Sequence, residues 1–454
     1  MSRRLFGTDG VRGRAGSFPL DAETVRALGL AAGRVLGGTG ASALVAMDPR
    51  ESSPWIAAAL LHGLGEAGVS CRFGGVLPTP AVARLCAEGG FTFGAVISAS
   101  HNPYEDNGIK FFSGDGFKLP DETERHIEVA LEGSPKGNGG GAPELPPPDG
   151  RLAERYLAWL RSLWEGEHLR GVRVLLDGAN GAASALAPAL FESLGATVVS
   201  ASCAPDGRNI NAGCGSLHAG RLGPEAARVG AHMAFAFDGD ADRCLAVTPG
   251  GRVLDGDFVL YREALRRRGR GLLPGRWVVG TVMSNLWLEE RLRENGLRFF
   301  RAPVGDRYVL QCLQERGGVL GGEPSGHVLF LDRATTGDGL LTALVYAMLA
   351  RDAGGLEALA AGIEPYPQRL ENIRVARRLP LEELPVVQEA LGEETARLAG
   401  RGRIVLRYSG TEPLLRLMVE ARTEEETARV AGRLRAVLLE VLGEAPPEAR
   451  GRER

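Results

Sequence analysis

Residues 233–243 read Met-Ala-Phe-Ala-Phe-Asp-Gly-Asp-Ala-Asp-Arg. The first five are apolar and form a short run, which predicts a buried strand. The run passes directly into Asp238, Asp240 and Asp242. Carboxylates at i, i+2 and i+4 of an extended chain project to one side. Three of them repel unless a cation or protons lie among them, and donors that are all oxygen favour magnesium or manganese over zinc. Taken alone, the triplet also fits a solvated acidic turn, or a phosphatase whose first aspartate is a covalent nucleophile. It does not fit an EF-hand, because Arg243 stands where that loop needs glycine.

Outward from this stretch, similar apolar runs occur at 43–47, 93–98, 172–176, 277–281 and 319–321. Amphipathic segments lie between them. Ser53-Pro54 precedes a predicted helix over 55–67 and Thr79-Pro80 another over 81–88. Each pair reads as a capping hydroxyl before a proline at the first helical position. Strands alternating with helices predict parallel sheets built from βαβ units. A Gly- and Pro-rich linker covers 133–150, with further breaks near 250–257 and 365–372. The last segment has a different order: a strand at 373–376, a helix near 382–398, strands at 403–407 and 415–420, and a helix at 424–442. The expectation is an α/β protein of three mixed- or parallel-sheet α/β domains (1–150, 151–252 and 253–368) and a smaller C-terminal α+β domain (369–454).

Ile97-Ser98-Ala99-Ser100-His101-Asn102-Pro103 leaves another predicted strand. Its hydroxyls are expected to be exposed at the strand's C-terminal edge, where open α/β sheets bind ligands. The G-x-S-x-G elbow is absent, so by itself the loop is a turn or a nucleophile. Combined with the aspartates it gains meaning: a hydroxyl to carry phosphate and carboxylates to hold a neutralising metal. Lysine occurs only at 110, 118 and 136 in an arginine-rich chain. Lys110 suits proton transfer or a phosphate contact, and Lys118 is expected at the surface. In Gly321-Gly322-Glu323-Pro324-Ser325-Gly326-His327, Glu323 and Ser325 suit sugar hydroxyls, and His327 suits acid–base work. Arg407, Ser409, Gly410 and Thr411, with Arg416 nearby, make a phosphate cradle. Arg12 lies on the glycine-rich stretch 6–13.

Composition excludes several classes. A net charge of −3 gives no general attraction to nucleic acid or an anionic membrane. The longest apolar stretch, 340–350, is too short to span a bilayer. The six cysteines form no CxxC pair, and the N-terminus lacks a signal-peptide core, so a cytoplasmic location is expected. No P-loop motif occurs and no G-x-G-x-x-G follows a strand, so phosphate is expected to arrive and leave on a sugar.

The chain resembles the α-D-phosphohexomutase superfamily. The motifs are FGTDGVRG at 6–13, SASHNPYEDNGIKFF at 98–112, DGDADR at 238–243, TVMSNLWLE at 281–289, VGDRYV at 304–309, GGEPSGH at 321–327 and RYSGTEPLLRLMVE at 407–420. The match is strongest to the bacterial members that act on glucosamine phosphates. The resemblance implies four domains around a central cleft. Ser100 would be the phosphoserine, binding one Mg2+ together with Asp238, Asp240 and Asp242. Glu323 and Ser325 would contact the sugar, and Arg407, Ser409, Gly410, Thr411 and Arg416 the non-reacting phosphate. Arg12, His101, Lys110, Arg243 and His327 would surround the transferring group. The implied reaction interconverts glucosamine 6-phosphate and glucosamine 1-phosphate through a sugar 1,6-bisphosphate, which also primes Ser100. Its product would feed UDP-N-acetylglucosamine and cell-wall precursor synthesis. The partner is then a phosphosugar; a homodimer is one assembly left open. Ala241 in place of glycine, Pro324 and Tyr408 depart from the family pattern without removing a chemical group; the last two leave the sugar preference open, with a phosphoglucomutase/phosphomannomutase on the same scaffold as the alternative reading.

Overall fold

A computed structural model describes residues 5–7, 9–133, 144–165, 168–408 and 414–444. Most of the 133–150 linker lies outside them, as do Ser409, Gly410 and Thr411. The chain divides into two compact units, residues 1–283 with 296–361 and residues 284–295 with 362–454.

The first unit repeats one sheet plan three times. Its first sheet contains β1 (Val11–Arg14), β2 (Ser42–Met47), β3 (Ser70–Val76), β4 (Phe93–Ile97) and β5 (Asp106–Ser113), in the order β1-β5-β4-β2-β3. β2 lies parallel to β3 and β4, and β5 is antiparallel to both β4 and β1. The second contains β6 (Arg173–Asp177), β7 (Thr197–Ala201), β8 (Met233–Phe237), β9 (Cys244–Val247) and β10 (Val253–Leu254), with the same pairing plan. The third contains β11 (Trp277–Thr281), β12 (Arg298–Ala302), β13 (Leu320–Gly322) and β14 (Val328–Phe330), in the order β12-β11-β13-β14. In each sheet the chain leaves the last parallel strand, turns, and returns as an antiparallel neighbour. Those three turns are the serine loop, the aspartate loop and the 323–327 loop. The inner parallel strands β2, β4, β6, β8 and β11 are buried along most of their length, as central strands of such sheets are, whereas the edge strands β3, β7 and β12 carry exposed polar residues.

The helices show why the sequence pattern worked and where it misled. Ser53–Glu66 and Thr79–Ala87 form as expected, but their hydroxyls cap nothing. Ser53 Oγ donates to Asp48 (2.9 Å) and Thr79 Oγ1 to Asp240 (2.6 Å). Proline already supplies a helix start that needs no donor, so buried carboxylates take the hydroxyls instead. The apolar stretch near 340–350 is the helix Gly339–Ala353, buried along most of its length. Among the described residues no helix is long and apolar enough to cross a membrane.

The second unit carries β15 (Gln368–Arg374), β16 (Arg403–Tyr408) and β17 (Leu414–Glu420), antiparallel in the order β15-β17-β16. Ile373, Leu417 and Val419 pack with Val430, Leu434 and Leu438 of the helix Glu424–Leu442. The helix Leu286–Glu294 belongs to this unit. Asn285 exchanges hydrogen bonds with the Tyr366 backbone (2.9 and 3.1 Å), and Leu286 N–H donates to the buried Glu420 (2.7 Å).

Candidate active site

Ser100 is the third residue after β4, with φ at +51°, in the left-handed region. Its hydroxyl is buried, against the expectation of exposure at the strand edge; the residue is 1% accessible. The serine loop folds back under the aspartate loop, and Ser100 Oγ donates to Asp238 Oδ2 at 2.7 Å. His101 Nδ1 lies 3.3 Å from the same oxygen. Gly239 makes this approach possible, since a Cβ there would stand 2.5 Å from the Ser100 carbonyl oxygen.

The aspartates converge, but strand alternation is not the reason. β8 ends at Phe237, and the carboxylates lie on a tight turn in which Ala241 is left-handed, φ +56°. One oxygen of each lies within 4.8 Å of the others. Asp240 Oδ2 accepts from Thr79 (2.6 Å) and from Lys110 Nζ (2.7 Å). Asp242 Oδ2 lies 3.8 Å from Lys110 Nζ and 3.5 Å from His327 Nδ1. Asp240 Oδ1 and Asp242 Oδ1 are buried and accept no hydrogen bond. Two orphaned carboxylate oxygens beside a third carboxylate fit a hard divalent cation, because burial without a partner is otherwise costly.

Charge is distributed unevenly among them. Burial, with Asp242 and Asp240 beside it, pushes the Asp238 carboxyl well above the ordinary range. Burial would do the same to Asp240, but Lys110 and the Thr79 hydroxyl hold it low. For Asp242, His327, Lys110 and Arg243 overcome burial and hold it low. Burial lowers His101 to about 4, helped by Arg243 and Arg12, so its ring is neutral. Burial opposes protonation of His327, but Asp242 and Asp306 raise it to about 9. The Gly337 amide nitrogen lies 3.2 Å from Nε2, and Asp242 Oδ2 lies 3.5 Å from Nδ1.

Arg12 lies on β1, where its guanidinium pairs with Asp9 (3.0 Å) and reaches the Ala99 carbonyl (3.4 Å). Arg243 stands 3.7 Å from Asp242. Glu323 accepts from Gly305 N–H (3.0 Å), while Ser325 Oγ is buried without a partner. In the second unit, Arg407 and Arg416 are cross-strand partners in β16 and β17. Burial and Arg416 together lower the pKa of Arg407. Like charges placed opposite each other destabilise a sheet, so the pair is suited to an anion.

Lys118 is not a surface residue. Its ammonium bridges Asp9 (2.7 Å) and Asp306 (2.6 Å), and Asp306 lies 3.7 Å from His327. These carboxylates are too remote in sequence for spacing to have revealed them. Asp48, Arg50 and Asn211 were also missed. Asp48 accepts from Ser98 (2.6 Å) and Arg50 (2.9 Å). The available signal was that Asp48-Pro49-Arg50 leaves an apolar strand as the serine loop does.

Sequence profiles of phosphoglucomutase/phosphomannomutase match in chain order: alpha/beta/alpha domain I over 3–136, domain II over 154–251, domain III over 255–366 and the C-terminal domain over 370–437. A phosphoglucosamine mutase of Solibacter usitatus is 46% identical, over 92% of this chain and 95% of that protein. One from Thermus thermophilus is 49% identical, over 92% and 94%. A phosphoglucomutase/phosphomannomutase family protein from Burkholderia thailandensis superposes with a TM-score of 0.80 at 26% identity, covering 98% of this chain and 99% of that one. The Aspergillus fumigatus N-acetylphosphoglucosamine mutase, solved with GlcNAc-6P and magnesium, shares the fold at a TM-score of 0.66 and 18% identity, covering 96% of each chain.

Proposed function

The chain belongs to the phosphoglucomutase/phosphomannomutase family, and on that premise we propose that Ser100 carries the phosphoryl group of a phosphoglucosamine mutase. It interconverts glucosamine 6-phosphate and glucosamine 1-phosphate. The observation that carries the reading is the Ser100 hydroxyl, 2.7 Å from Asp238 and beside two orphaned carboxylate oxygens.

Phosphoserine gives its phosphoryl group to the free sugar hydroxyl. The Oγ–P bond breaks as the bond to the sugar oxygen forms, and the hydroxyl proton passes to a neighbouring base. The resulting sugar 1,6-bisphosphate turns over, and its other phosphoryl group returns to Ser100. The same bisphosphate primes the serine. In-line transfer needs alignment and charge neutralisation above all. Lys110, Arg243 and Arg12 supply positive charge around Ser100. His101 Nδ1 lies 3.3 Å from Oγ, within reach of the oxygen that gives up and regains the phosphoryl group. Glu323 and Ser325 receive the sugar hydroxyls, and Arg407 and Arg416 the distal phosphate.

Asp238, Asp240 and Asp242 would hold a magnesium ion, their hard oxygens matching its preference. When bound, the ion offsets negative charge on the phosphoryl oxygens at Ser100. Six free thiols fit a reducing, cytoplasmic setting.

Ser100→Ala is expected to abolish turnover while leaving the melting temperature near wild type; activity near wild type would sink the reading. Phosphopeptide mapping separates it from an aspartyl phosphatase. The expected label is an acid-stable seryl ester at Ser100, whereas an acyl phosphate at Asp238 would place the chemistry there.

A further inference from the structure

We propose that Arg50 and Asn211 are positioning residues for phosphoryl transfer, clamping the serine loop from two sides so that the Ser100 hydroxyl faces the aspartates. Arg50 is wholly buried and follows β2. Its Nη2 donates to the carbonyls of Ser100 (2.9 Å) and Asn102 (2.9 Å). Its Nη1 donates to those of Asp106 (3.0 Å) and Pro103, and its Nε to Asp48 (2.9 Å). One guanidinium thus holds four carbonyls of a single loop in a planar fork that no other side chain offers.

Asn211 comes from the second domain-family segment, in the left-handed region at φ +59°. Its backbone N–H is anchored on the Ala179 carbonyl (2.9 Å). Its Nδ2 donates to the same two acceptors, the carbonyls of Ser100 (2.9 Å) and Asn102 (3.0 Å). The Ser100 carbonyl is therefore enclosed by Arg50, Asn211 and the Cβ-less Gly239. Rotating it would swing Oγ away from Asp238. A left-handed residue persists only where its surroundings over-determine it, and these donors supply that restraint. Arg50 shapes the loop from its own sheet, while Asn211 registers it against the aspartate loop of the next.

The inference rests on Ser100 as the phosphoryl carrier, and the experiment separates the two. Full-length Asn211→Gly keeps the left-handed backbone and removes the donors; Asn211→Asp keeps the shape and the carbonyl-side oxygen. Arg50→Lys keeps the charge facing Asp48 and loses the fork. For each, the rate of Ser100 phosphorylation by a hexose 1,6-bisphosphate is read by intact mass, alongside kcat and KM for glucosamine 6-phosphate and the melting temperature. The expected result is a fall of about 10- to 100-fold in phosphorylation rate and kcat together, the cost of a small misplacement. KM stays within about twofold and melting is near wild type for at least one Asn211 variant. Arg50→Lys combined with Asn211→Gly is expected to be non-additive, because the two share acceptors. An unchanged kcat, a change confined to KM, or a kcat loss that tracks only lost stability in all variants would overturn the clamp. A Ser100→Ala enzyme that still turned over would instead overturn the phosphoserine reading.

Discussion

Lys110 is the only cation hydrogen-bonded to Asp240 among the described residues, and both are buried. Removing one partner of a buried pair leaves a charge without compensation. Lys110→Met is therefore expected to cost roughly 3–5 kcal/mol in urea denaturation, and to lose phosphoryl transfer with it. Asp338 gives a different signature. It caps the helix Gly339–Ala353 and accepts from the Tyr156 hydroxyl (2.8 and 2.9 Å). Burial raises its pKa to about 6, against an ordinary 3.8. Between those values the folded protein binds more protons than the unfolded chain, so this group's contribution to stability falls as pH rises. Asp338→Asn keeps the cap and removes the ionisation. Its stability relative to wild type is expected to grow by on the order of 3 kcal/mol from pH 4 to pH 7; a constant difference would contradict the argument.

At the scale of elements, the helices Ala22–Leu36 and Ser53–Glu66 pack backbone against backbone. A Cβ at Gly63 would stand 1.9 Å from the Arg26 carbonyl oxygen, whereas one at Gly65, on the same helix, meets nothing. Gly63→Ala is expected to lower stability by about 1–3 kcal/mol through overpacking. Gly65→Ala is expected to raise it by up to about 1 kcal/mol through helix propensity. Equal shifts in denaturation midpoint would refute the close-packing account. The site loops follow the same logic of elements, since each joins a parallel strand to its antiparallel neighbour.

For the whole molecule, the division into two units predicts where a metal will be felt. Asp238, Asp240 and Asp242 all lie in the first unit, and none lies in the second. Adding magnesium to the phosphoryl-free protein is expected to increase hydrogen-exchange protection in the serine and aspartate loops. Protection in β16 and β17 is expected to stay unchanged. Protection rising equally in both units would argue for a cation bound elsewhere.

Much of this was legible in the chain. Apolar runs such as 233–237 became β8, and the different order after residue 368 became a separate antiparallel sheet, because burial periodicity is a local property. Ser100, the aspartates, Lys110 and His327, singled out by residue type and motif, lie together in the structure. Whether the serine is exposed, which hydroxyls cap helices, and where Lys118 points were not local questions. Asp238, Asp240, Asp9 and Asp306, which answer them for Ser100, Thr79 and Lys118, lie far along the chain from the residues they meet. Residue order fixes which chemical groups exist and which strands they follow. That Arg50 and Asn211 share the Ser100 carbonyl is settled by how the folded sheets meet. Hydrogen-bond partners across a fold are fixed by the packing of whole sheets, and no spacing along the chain encodes them.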